Sequence, residues 1–440
     1  MSTTFSRARL LAVFFILTNA HFLMAQDIDK KIFSADKYFK IRNYERAIPL
    51  YLEAIEAGVK DPIVHYRTAE SYKNLFEISE RIKSIPYFEF AIENGSDQLP
   101  AKVYLDLGKI YHMKGDIQNA INSYNKYKAT LKGDKEEIAL VDREIEIANN
   151  AVIQMSNAKD VKINNLGPTI NTKYTEYSPV VSADESILAF TALRPNTGKT
   201  RSNEDFIEEI NISYNSSGNW TQPEKIEIAA KYNVGTAGIS SDGQHMLIFI
   251  GGANNTGNLY QIDKSGDKWS PPTTLGSEIN NVRHLESTGS VTPDGKKLYF
   301  ASDRPGGFGG LDIYLSEKLP SGEWGRPVNL GANVNSEYDE DAPFIHPDQF
   351  TLFFTSDGHD TMGGKDIFVS RLFDDGWSKP ENMGYPINTT ADDDYFTLTA
   401  DGRKGYFSSD RIGGQGEVVV IRSGVNGVSH IFWLAPPIIK

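Results

Sequence analysis

The sequence VTPDGKKLYF, residues 291–300, decides the fold of the second half of the chain. Apolar residues alternate on both sides of an Asp-Gly pair, which is the strongest short signal for a β-hairpin. The pair predicts a type I′ turn, in which both central residues have positive φ. A similar hairpin core with an aspartate at the turn occurs in four further segments, 179–190, 238–249, 345–354 and 398–407.

Each hairpin is followed by more strand-forming sequence. A Gly-rich loop such as 302–310 (SDRPGGFGG) leads into a third strand, and a Trp-x-x-Pro motif opens a fourth. These motifs begin at Trp220, Trp269, Trp324 and Trp377. Four strands in about 50 residues, repeated along the chain, indicate a β-propeller. The Gly-rich loops precede strands rather than helices, so they do not have the pattern of phosphate-binding loops.

The ends of the repeat array predict how the propeller closes. Residues 161–172 (VKINNLGPTINT) match the fourth-strand region at 327–336 (PVNLGANVNS). The first segment is therefore expected to supply the outer strand of the last blade, since closure leaves no open sheet edge. The result is five blades. Six blades are the alternative, because residues 428–434 could begin a further strand.

Residues 26–157 have helical periodicity and contain a three-fold repeat. A small residue is followed four positions later by an aromatic one. The three pairs are Ala47 with Tyr51, Ser84 with Phe88, and Ala120 with Tyr124. On a helix the two residues share one face, where the small one permits close approach and the ring fills the core. The pattern predicts an α-solenoid of stacked helix pairs.

Composition and charge exclude several classes of protein. The chain has 45 Lys+Arg against 58 Asp+Glu, which gives a net charge of −13. No nucleic-acid partner is expected, because binding phosphates requires clustered basic residues. The sequence contains no cysteine. Disulfides, thiolate metal sites, a cysteine nucleophile and a direct lipid anchor on cysteine are therefore excluded.

The N terminus has the pattern of a secretory signal peptide, residues 1–25. Arg7 and Arg9 precede the apolar run 10–17 (LLAVFFIL), and Ala25 is a small residue suited to cleavage. The alternative is an uncleaved anchor, although the run is shorter than the ~20 residues that span a bilayer. The mature chain is expected to be exported without a transmembrane span. Its predicted domains are a helical one, 26–157, and the propeller, 158–440.

The best candidate site is a ring of acidic residues, which lies eight positions before the turn aspartate in four of the hairpins. The members are Glu176, Glu286, Glu340 and Asp393. In a propeller this position lies near one mouth of the central channel, where converging carboxylates could bind Ca²⁺ or a basic peptide. Alternatively, the acids could pair with three arginines that follow the hairpins, Arg194, Arg304 and Arg411. The sequence leaves both alternatives open, and no other cofactor is predicted.

The sequence offers little support for catalysis. The eight histidines are scattered, and no Gly-x-Ser-x-Gly elbow is present. The acids recur in successive repeats, whereas paired catalytic carboxylates form one asymmetric site. The chain is therefore expected not to be an enzyme, with a hydrolase as the alternative.

The order of the segments resembles that of known families. The helical repeat resembles the tetratricopeptide repeat (TPR) family. Residues 166–172 (LGPTINT), 176–184 (EYSPVVSAD) and 302–304 (SDR) are similar to the WD-repeat-like propeller repeats of TolB-type proteins and of PorE-like, OmpA-family proteins of type IX secretion systems. The PorE-like proteins also have a peptidoglycan-binding domain and often a lipidated cysteine. Neither feature has a counterpart in this sequence, so the resemblance implies neither anchor.

Together these observations predict a TPR α-solenoid followed by a propeller. The resemblance implies a non-enzymatic scaffold whose partners are proteins of the cell envelope, in the periplasm or associated with the outer membrane. The rival hypothesis is a propeller that binds Ca²⁺ or a cell-wall fragment.

Overall fold

A computed structural model describes residues 26–75, 77–196, 206–254 and 256–412, together with the backbone of 417–423. The chain separates into two compact units, Met1–Ile145 and Glu146–Lys440. The predicted signal peptide, residues 1–25, and the segment 428–434 lie outside the described residues. None of the described helices combines the length and apolar character that crossing a membrane requires.

Helices form the N-terminal region, as predicted. They are α1 (26–40), α2 (Tyr44–Glu56), α3 (Pro62–Lys73), α4 (Ile78–Arg81), α5 (Ile85–Gly95), α6 (Val103–Lys114), α7 (Ile117–Lys128) and α8 (Lys135–Ser156). Helix α3 starts with a side-chain cap from Asp61, which accepts the Ile63 N–H, and with Pro62 in its first turn. Helix α6 ends at Gly115, whose φ of 81° is left-handed.

The small and aromatic positions of the repeat form the interior of the helical unit. All six side chains have no exposed surface: Ala47, Tyr51, Ser84, Phe88, Ala120 and Tyr124. Gly108 shows how closely the helices approach, because a Cβ there would lie 2.5 Å from the ring of Tyr124. A larger residue at this position would separate α6 from α7. The repeated pattern in the sequence therefore marks the helix-packing surface.

Strands form the second part of the chain. They are β1 (Val161–Asn165), β2 (Glu176–Val181), β3 (Ile187–Pro195), β4 (Phe206–Ser216), β5 (Asn219–Trp220), β6 (Glu224–Lys225), β7 (Val234–Ile239), β8 (His245–Gly251), β9 (Gly257–Ser265), β10 (Lys268–Trp269), β11 (Thr273–Thr274), β12 (Glu286–Val291), β13 (Lys297–Ser302), β14 (Asp312–Glu317), β15 (Val328–Asn329), β16 (Glu340–Ile345), β17 (Thr351–Ser356), β18 (Asp366–Phe373), β19 (Gly376–Trp377), β20 (Glu381–Asn382), β21 (Asp393–Leu398), β22 (Lys404–Ser409) and β23 (Glu417–Ser423).

These strands pair into five antiparallel sheets. Four sheets use contiguous chain: sheet 1 (β2 to β6), sheet 2 (β7 to β11), sheet 3 (β12 to β15) and sheet 4 (β16 to β20). Sheet 5 is composite, with the order β21-β22-β23-β1. Its outer strand β1 pairs with β23 so that Ile163 lies opposite Ile421. The prediction that the N-terminal segment completes the last sheet is therefore confirmed.

The innermost strands bring the sheets together around an axis. Strands β2, β7, β12, β16 and β21 contact one another in this order, and β21 contacts β2 again. Successive sheets bury apolar side chains between them, for example Ile210 of sheet 1 with Ile248 of sheet 2, and Phe353 of sheet 4 with Phe396 of sheet 5. A helical region followed by a β-propeller is therefore confirmed.

The hairpin turn differs from the predicted type I′ turn. In the loop after β12, the Gly295 N–H donates to the Thr292 carbonyl, so Pro293 and Asp294 are the central residues. Only Gly295 has positive φ, at 69°. The Asp294 carboxylate accepts the Thr292 hydroxyl at 2.6 Å and the Lys296 N–H at 3.1 Å. The aspartate therefore stabilises the loop through its side chain, and the left-handed glycine follows the turn.

Candidate functional site

The four acids of the predicted ring occupy equivalent places in the fold. Each is the first residue of an innermost strand, and each side chain has no exposed surface: Glu176 on β2, Glu286 on β12, Glu340 on β16 and Asp393 on β21. Sheet 2 has Val234 at this position. Because burying an unpaired carboxylate is unfavourable, each acid needs partners within the protein.

One set of partners comes from the chain four or five residues earlier. The Glu176 carboxylate accepts the Thr172 N–H at 2.8 Å and the Thr172 hydroxyl at 2.7 Å. Asp393 accepts the corresponding groups of Thr389 at 2.6 and 2.8 Å, and Glu286 accepts the Asn281 N–H at 2.9 Å. Each acid thus fixes the turn that leads into its own strand.

The other set of partners is the three arginines. Arg194 Nη1 lies 2.6 Å from Glu176, and Arg411 Nη2 lies 2.7 Å from Asp393. Arg304 Nη2 lies 3.3 Å from Glu286. The ion pairs found in these three sheets are those that the sequence offered as the alternative to a cation site.

Sheet 4 lacks the arginine and uses neutral donors instead. Glu340 accepts the Ser336 N–H at 2.7 Å and the Ser356 hydroxyl at 2.7 Å. His359 Nε2 lies 3.6 Å away from the carboxylate, but it is closer to the Val334 carbonyl oxygen, at 2.9 Å. Without a paired arginine, burial raises the pKa of Glu340 to about 7.

These contacts leave little capacity for an external ligand at the ring. The carboxylate oxygens already accept hydrogen bonds from the protein in all four sheets. In the part of the chain that the structure describes, no group of three or more His, Cys, Asp or Glu side chains could hold a metal ion. The geometry therefore favours a stabilising role for Glu176, Glu286, Glu340 and Asp393.

A second acidic group, with a lysine, joins sheets 3, 4 and 5. Asp341 accepts the hydroxyls of Ser287 and Thr288 from the neighbouring sheet, at 2.7 and 2.5 Å. Lys365 Nζ lies 3.9 Å from Asp341 and 3.5 Å from Asp394. The Asp394 carboxylate and the acids around it raise the pKa of Lys365, so this lysine is charged at neutral pH. This group lies outside the predicted ring, and its lysine reaches the acids only through the fold.

The axis of the propeller contains a small cavity. Its lining comes from the innermost strands of all five sheets, and its volume is about 30 Å³. One water needs at least ~10–15 Å³, whereas pockets for small molecules have ~300–1,000 Å³. The axial cavity therefore accommodates a water molecule or two, and a cell-wall fragment does not fit into it.

The innermost strands take their shape from β-bulges beside this cavity. Each of the five has a register shift against its neighbouring strand. Three bulges contain a non-glycine residue with left-handed φ: Ser178 at 51°, Ala342 at 49° and Tyr395 at 57°. Such conformations are held by surrounding structure, here the contacts between sheets.

A larger depression lies in the helical unit. Helices α5, α6 and α7 line a groove of about 600 Å³. Ile92, Tyr104 and Leu107 contribute apolar surface, and Glu89 and Glu93 stand on the α5 side. The Tyr111 hydroxyl donates to Glu89, and burial together with this hydrogen bond raises the pKa of Tyr111. We call this depression the α5–α7 groove.

Comparison with known proteins finds similar structures but no family. No family model matches the sequence, and no curated protein matches it. Similar solved structures include TolB from Agrobacterium tumefaciens, with 20% identity, 57% of this chain and 76% of that chain covered, and a TM-score of 0.36. TolB from Acinetobacter baumannii has 16% identity, 64% and 70% coverage, and a TM-score of 0.33. These likenesses concern the propeller fold alone.

Enzymes are also among the similar structures, and they correct one expectation. An α-L-arabinofuranosidase from Lactobacillus brevis has 15% identity, covers 58% of this chain and 91% of its own, and has a TM-score of 0.41. Prolyl endopeptidases and puromycin-hydrolysing enzymes share the fold as well. The prediction that the chain is not an enzyme is therefore wrong in excluding catalysis, because structures similar to this chain include enzymes.

Proposed function

We propose that this is an exported protein of the bacterial envelope that binds a segment of a partner protein in the α5–α7 groove. The observation that carries the proposal is the groove itself, whose volume of about 600 Å³ lies in the range of binding sites. An apolar floor between helices is the usual surface for a docked peptide segment.

The groove chemistry defines the partner segment. Ile92 and Tyr104 are half-buried, so an apolar side chain placed against them would remove further apolar surface from water. Glu89 and Glu93 give the α5 side two negative charges. The matching segment therefore has an apolar side chain flanked by lysine or arginine, which complements the acids and speeds association.

The finer architecture belongs to the same proposal. Burial of the small and aromatic repeat positions and the close approach at Gly108 support a TPR solenoid over 26–157. Five sheets and the ring of contacts among their innermost strands support a five-bladed propeller over 158–440. The signal-like residues 1–25 support export to the periplasm or to the outer membrane.

A binding role of the acidic ring remains a hypothesis. Its members would be Glu176, Glu286, Glu340 and Asp393, with Ca²⁺ or a basic peptide as the ligand. The ion pairs of Arg194, Arg304 and Arg411 support the stabilising alternative. We therefore place partner binding in the helical unit.

Site-specific photocrosslinking in cells tests the proposal. A photoreactive phenylalanine analogue replaces Ile92 in the full chain, and the same analogue replaces Phe33, which is 62% exposed on α1, as the control. The expected result is a discrete adduct from position 92 in the envelope fraction. Glu93→Lys should abolish that adduct because it reverses one of the two negative charges on the α5 side of the groove.

The charge reversal has a matched control in Glu56→Lys. Both glutamates are exposed and lie in the last turn of their helices, so lysine has the same favourable effect on the helix dipole at each position. Glu56→Lys should leave the adduct unchanged. An identical adduct from position 33, or one that survives Glu93→Lys, would reject the groove as the binding surface.

A further inference from the structure

A pocket of about 380 Å³ lies where sheet 5 meets sheet 1. Its size is that of a small-molecule site. We call it the closure pocket, and its principal lining residues are Asn164, Glu185, Asn215, Trp220, Lys404 and Tyr406. Asn164 belongs to β1 and Lys404 to β22, so the pocket exists only when the composite sheet has formed.

The lining combines an aromatic surface with amide groups. Trp220 meets Tyr406 edge to face, with ring centroids 6.2 Å apart. Asn164, Asn165, Asn215 and Asn219 supply side-chain amides around this aromatic pair. A purely apolar ligand would remove these amides from water without replacing their hydrogen bonds, which is unfavourable. The ligand must therefore present both hydroxyl groups and an apolar face.

The charged groups of the pocket neutralise each other. Glu185 accepts hydrogen bonds from Lys404 Nζ at 2.9 and 2.6 Å, and from the Tyr406 hydroxyl. Glu185 and Lys404 are the two charged residues in the described lining of the pocket. The pocket thus has no net charge to attract an anion or a cation, which favours a neutral ligand.

The backbone at Glu185 is strained. Its φ is 57°, at the hairpin position where Gly243, Gly295 and Gly402 have left-handed φ in other sheets. A left-handed conformation is unfavourable for a side chain with Cβ. Gln349 has the same left-handed conformation at the equivalent turn of sheet 4. At Glu185 this conformation accompanies the contacts of the carboxylate with Lys404 and Tyr406 of the neighbouring sheet.

One polar group at the pocket has no partner among the described residues. The Asn164 side-chain nitrogen is buried and makes no hydrogen bond within the described part of the chain. Leaving a buried donor without an acceptor is destabilising. Because Asn164 lines the pocket, a turn of its side-chain amide would offer this donor to a ligand hydroxyl.

From these features we propose that the closure pocket binds a neutral saccharide. One face of a sugar ring carries C–H groups that pack against Trp220, and its hydroxyls pair with the amides and with Asn164. The closure pocket shares no residue with the α5–α7 groove, so the test of saccharide binding is independent of the test of partner binding.

Isothermal titration calorimetry on the full chain tests the proposal with three probes: N,N′-diacetylchitobiose, cellobiose and maltose. We expect at least one of them to bind. Preference for N,N′-diacetylchitobiose would identify an acetamido sugar as the ligand class. Preference for cellobiose or maltose would identify a plain hexose. Absence of binding by all three would overturn the proposal.

Matched tryptophan variants locate the site. Trp220→Leu should weaken binding about tenfold or more, since it removes the main apolar contact. Trp377→Leu is the control, because Trp377 packs against Tyr299 in the same edge-to-face manner, with centroids 5.9 Å apart, at another sheet junction. It should leave affinity unchanged. Equal losses in both variants would reject the closure pocket as the site.

A second variant separates binding from stability. Asn164→Leu removes the unpartnered donor, so it should raise the melting temperature while weakening saccharide binding. If both Trp220→Leu and Asn164→Leu bind the saccharide with unchanged affinity, the ligand lies elsewhere and the proposal is refuted.

Discussion

Replacing Arg411 with methionine should reveal how strongly the buried ion pair of sheet 5 stabilises the propeller. Arg411 Nη2 lies 2.7 Å from Asp393, whose side chain has no exposed surface. Arg411 also donates to the carbonyl oxygens of Pro386 and Ile387 at 3.0 and 2.8 Å. Methionine retains the apolar stem but leaves the carboxylate and both carbonyls without this partner.

The expected loss in the free energy of unfolding follows from removing one member of a buried ion pair. Such a change destabilises by about 3–5 kcal/mol. The Arg411 side chain is 20% exposed, which moves the expectation to the lower end, about 3 kcal/mol. For a unit of this size each kcal/mol shifts the melting temperature by about 2 °C, so Arg411→Met should melt about 6 °C lower.

Arg403→Met provides the matched control in the same sheet. Arg403 pairs with Asp401 at 3.8 Å, and its side chain is 79% exposed. An exposed pair contributes about 0–1 kcal/mol, so this variant should melt within about 2 °C of the parent. Differential scanning calorimetry measures both variants.

The pH dependence provides a second check on the same variant. Burial already raises the pKa of Asp393, and loss of the arginine raises it further. A protonated Asp393 needs no cation, so the deficit of Arg411→Met should shrink as the pH falls. Equal melting temperatures for Arg411→Met and Arg403→Met, or a deficit independent of pH, would refute the reasoning.

Three further predictions concern packing, protonation and cations. Gly108→Ala should destabilise the helical unit by about 1–3 kcal/mol in urea unfolding, because its Cβ would lie 2.5 Å from the Tyr124 ring; a gain in stability would contradict this packing. Glu340 has a pKa raised from 4.5 to about 7, so its contribution to stability is complete below 4.5 and is lost as pH rises through about 7. Glu340→Gln should flatten the dependence of melting temperature on pH over this window, and an unchanged slope would disprove the assignment. Millimolar Ca²⁺ should leave the melting temperature unchanged; a rise that Asp393→Asn abolishes would restore the cation alternative.

The sequence predicted those parts of the fold that depend on local pattern. The hairpin pattern, with Asp-Gly in three of the five repeats, located all five innermost strand pairs, because alternation and turn residues lie within one short segment. The match between residues 161–172 and 327–336 located β1, although its pairing partner is far away along the chain. Repetition supplied this long-range information, since equivalent segments occupy equivalent places.

The turn geometry was predicted wrongly because two turns share one signal. Asp-Gly suits both a two-residue turn and a longer loop that ends in a left-handed glycine. The hydroxyl two positions earlier, such as Thr292, distinguishes the longer loop because it donates to the aspartate. Ser240 and Thr399 repeat that contact in two other sheets. This hydroxyl was visible in the sequence.

The candidate sites depended on contacts that no local pattern contains. The four ring acids were found by spacing, yet only the structure shows that Arg194 and Arg411 reach them. Lys365 has no counterpart in the repeat that would mark it as a partner of Asp341 and Asp394. The closure pocket joins residues near both ends of the propeller sequence, so spacing could not reveal it.

The composite sheet has a consequence for the order of folding. Strand β1 leads into the propeller but finds its partner only in β23, the last strand described. During synthesis or export, when the chain emerges from its N terminus, β1 must wait until almost the entire propeller sequence has emerged. Closing so long a loop is slow, and the unpaired strand is exposed to aggregation meanwhile. The helical unit relies on contacts between neighbouring helices and needs no such delay. The chain should therefore acquire its helical unit first and complete the propeller in one late step.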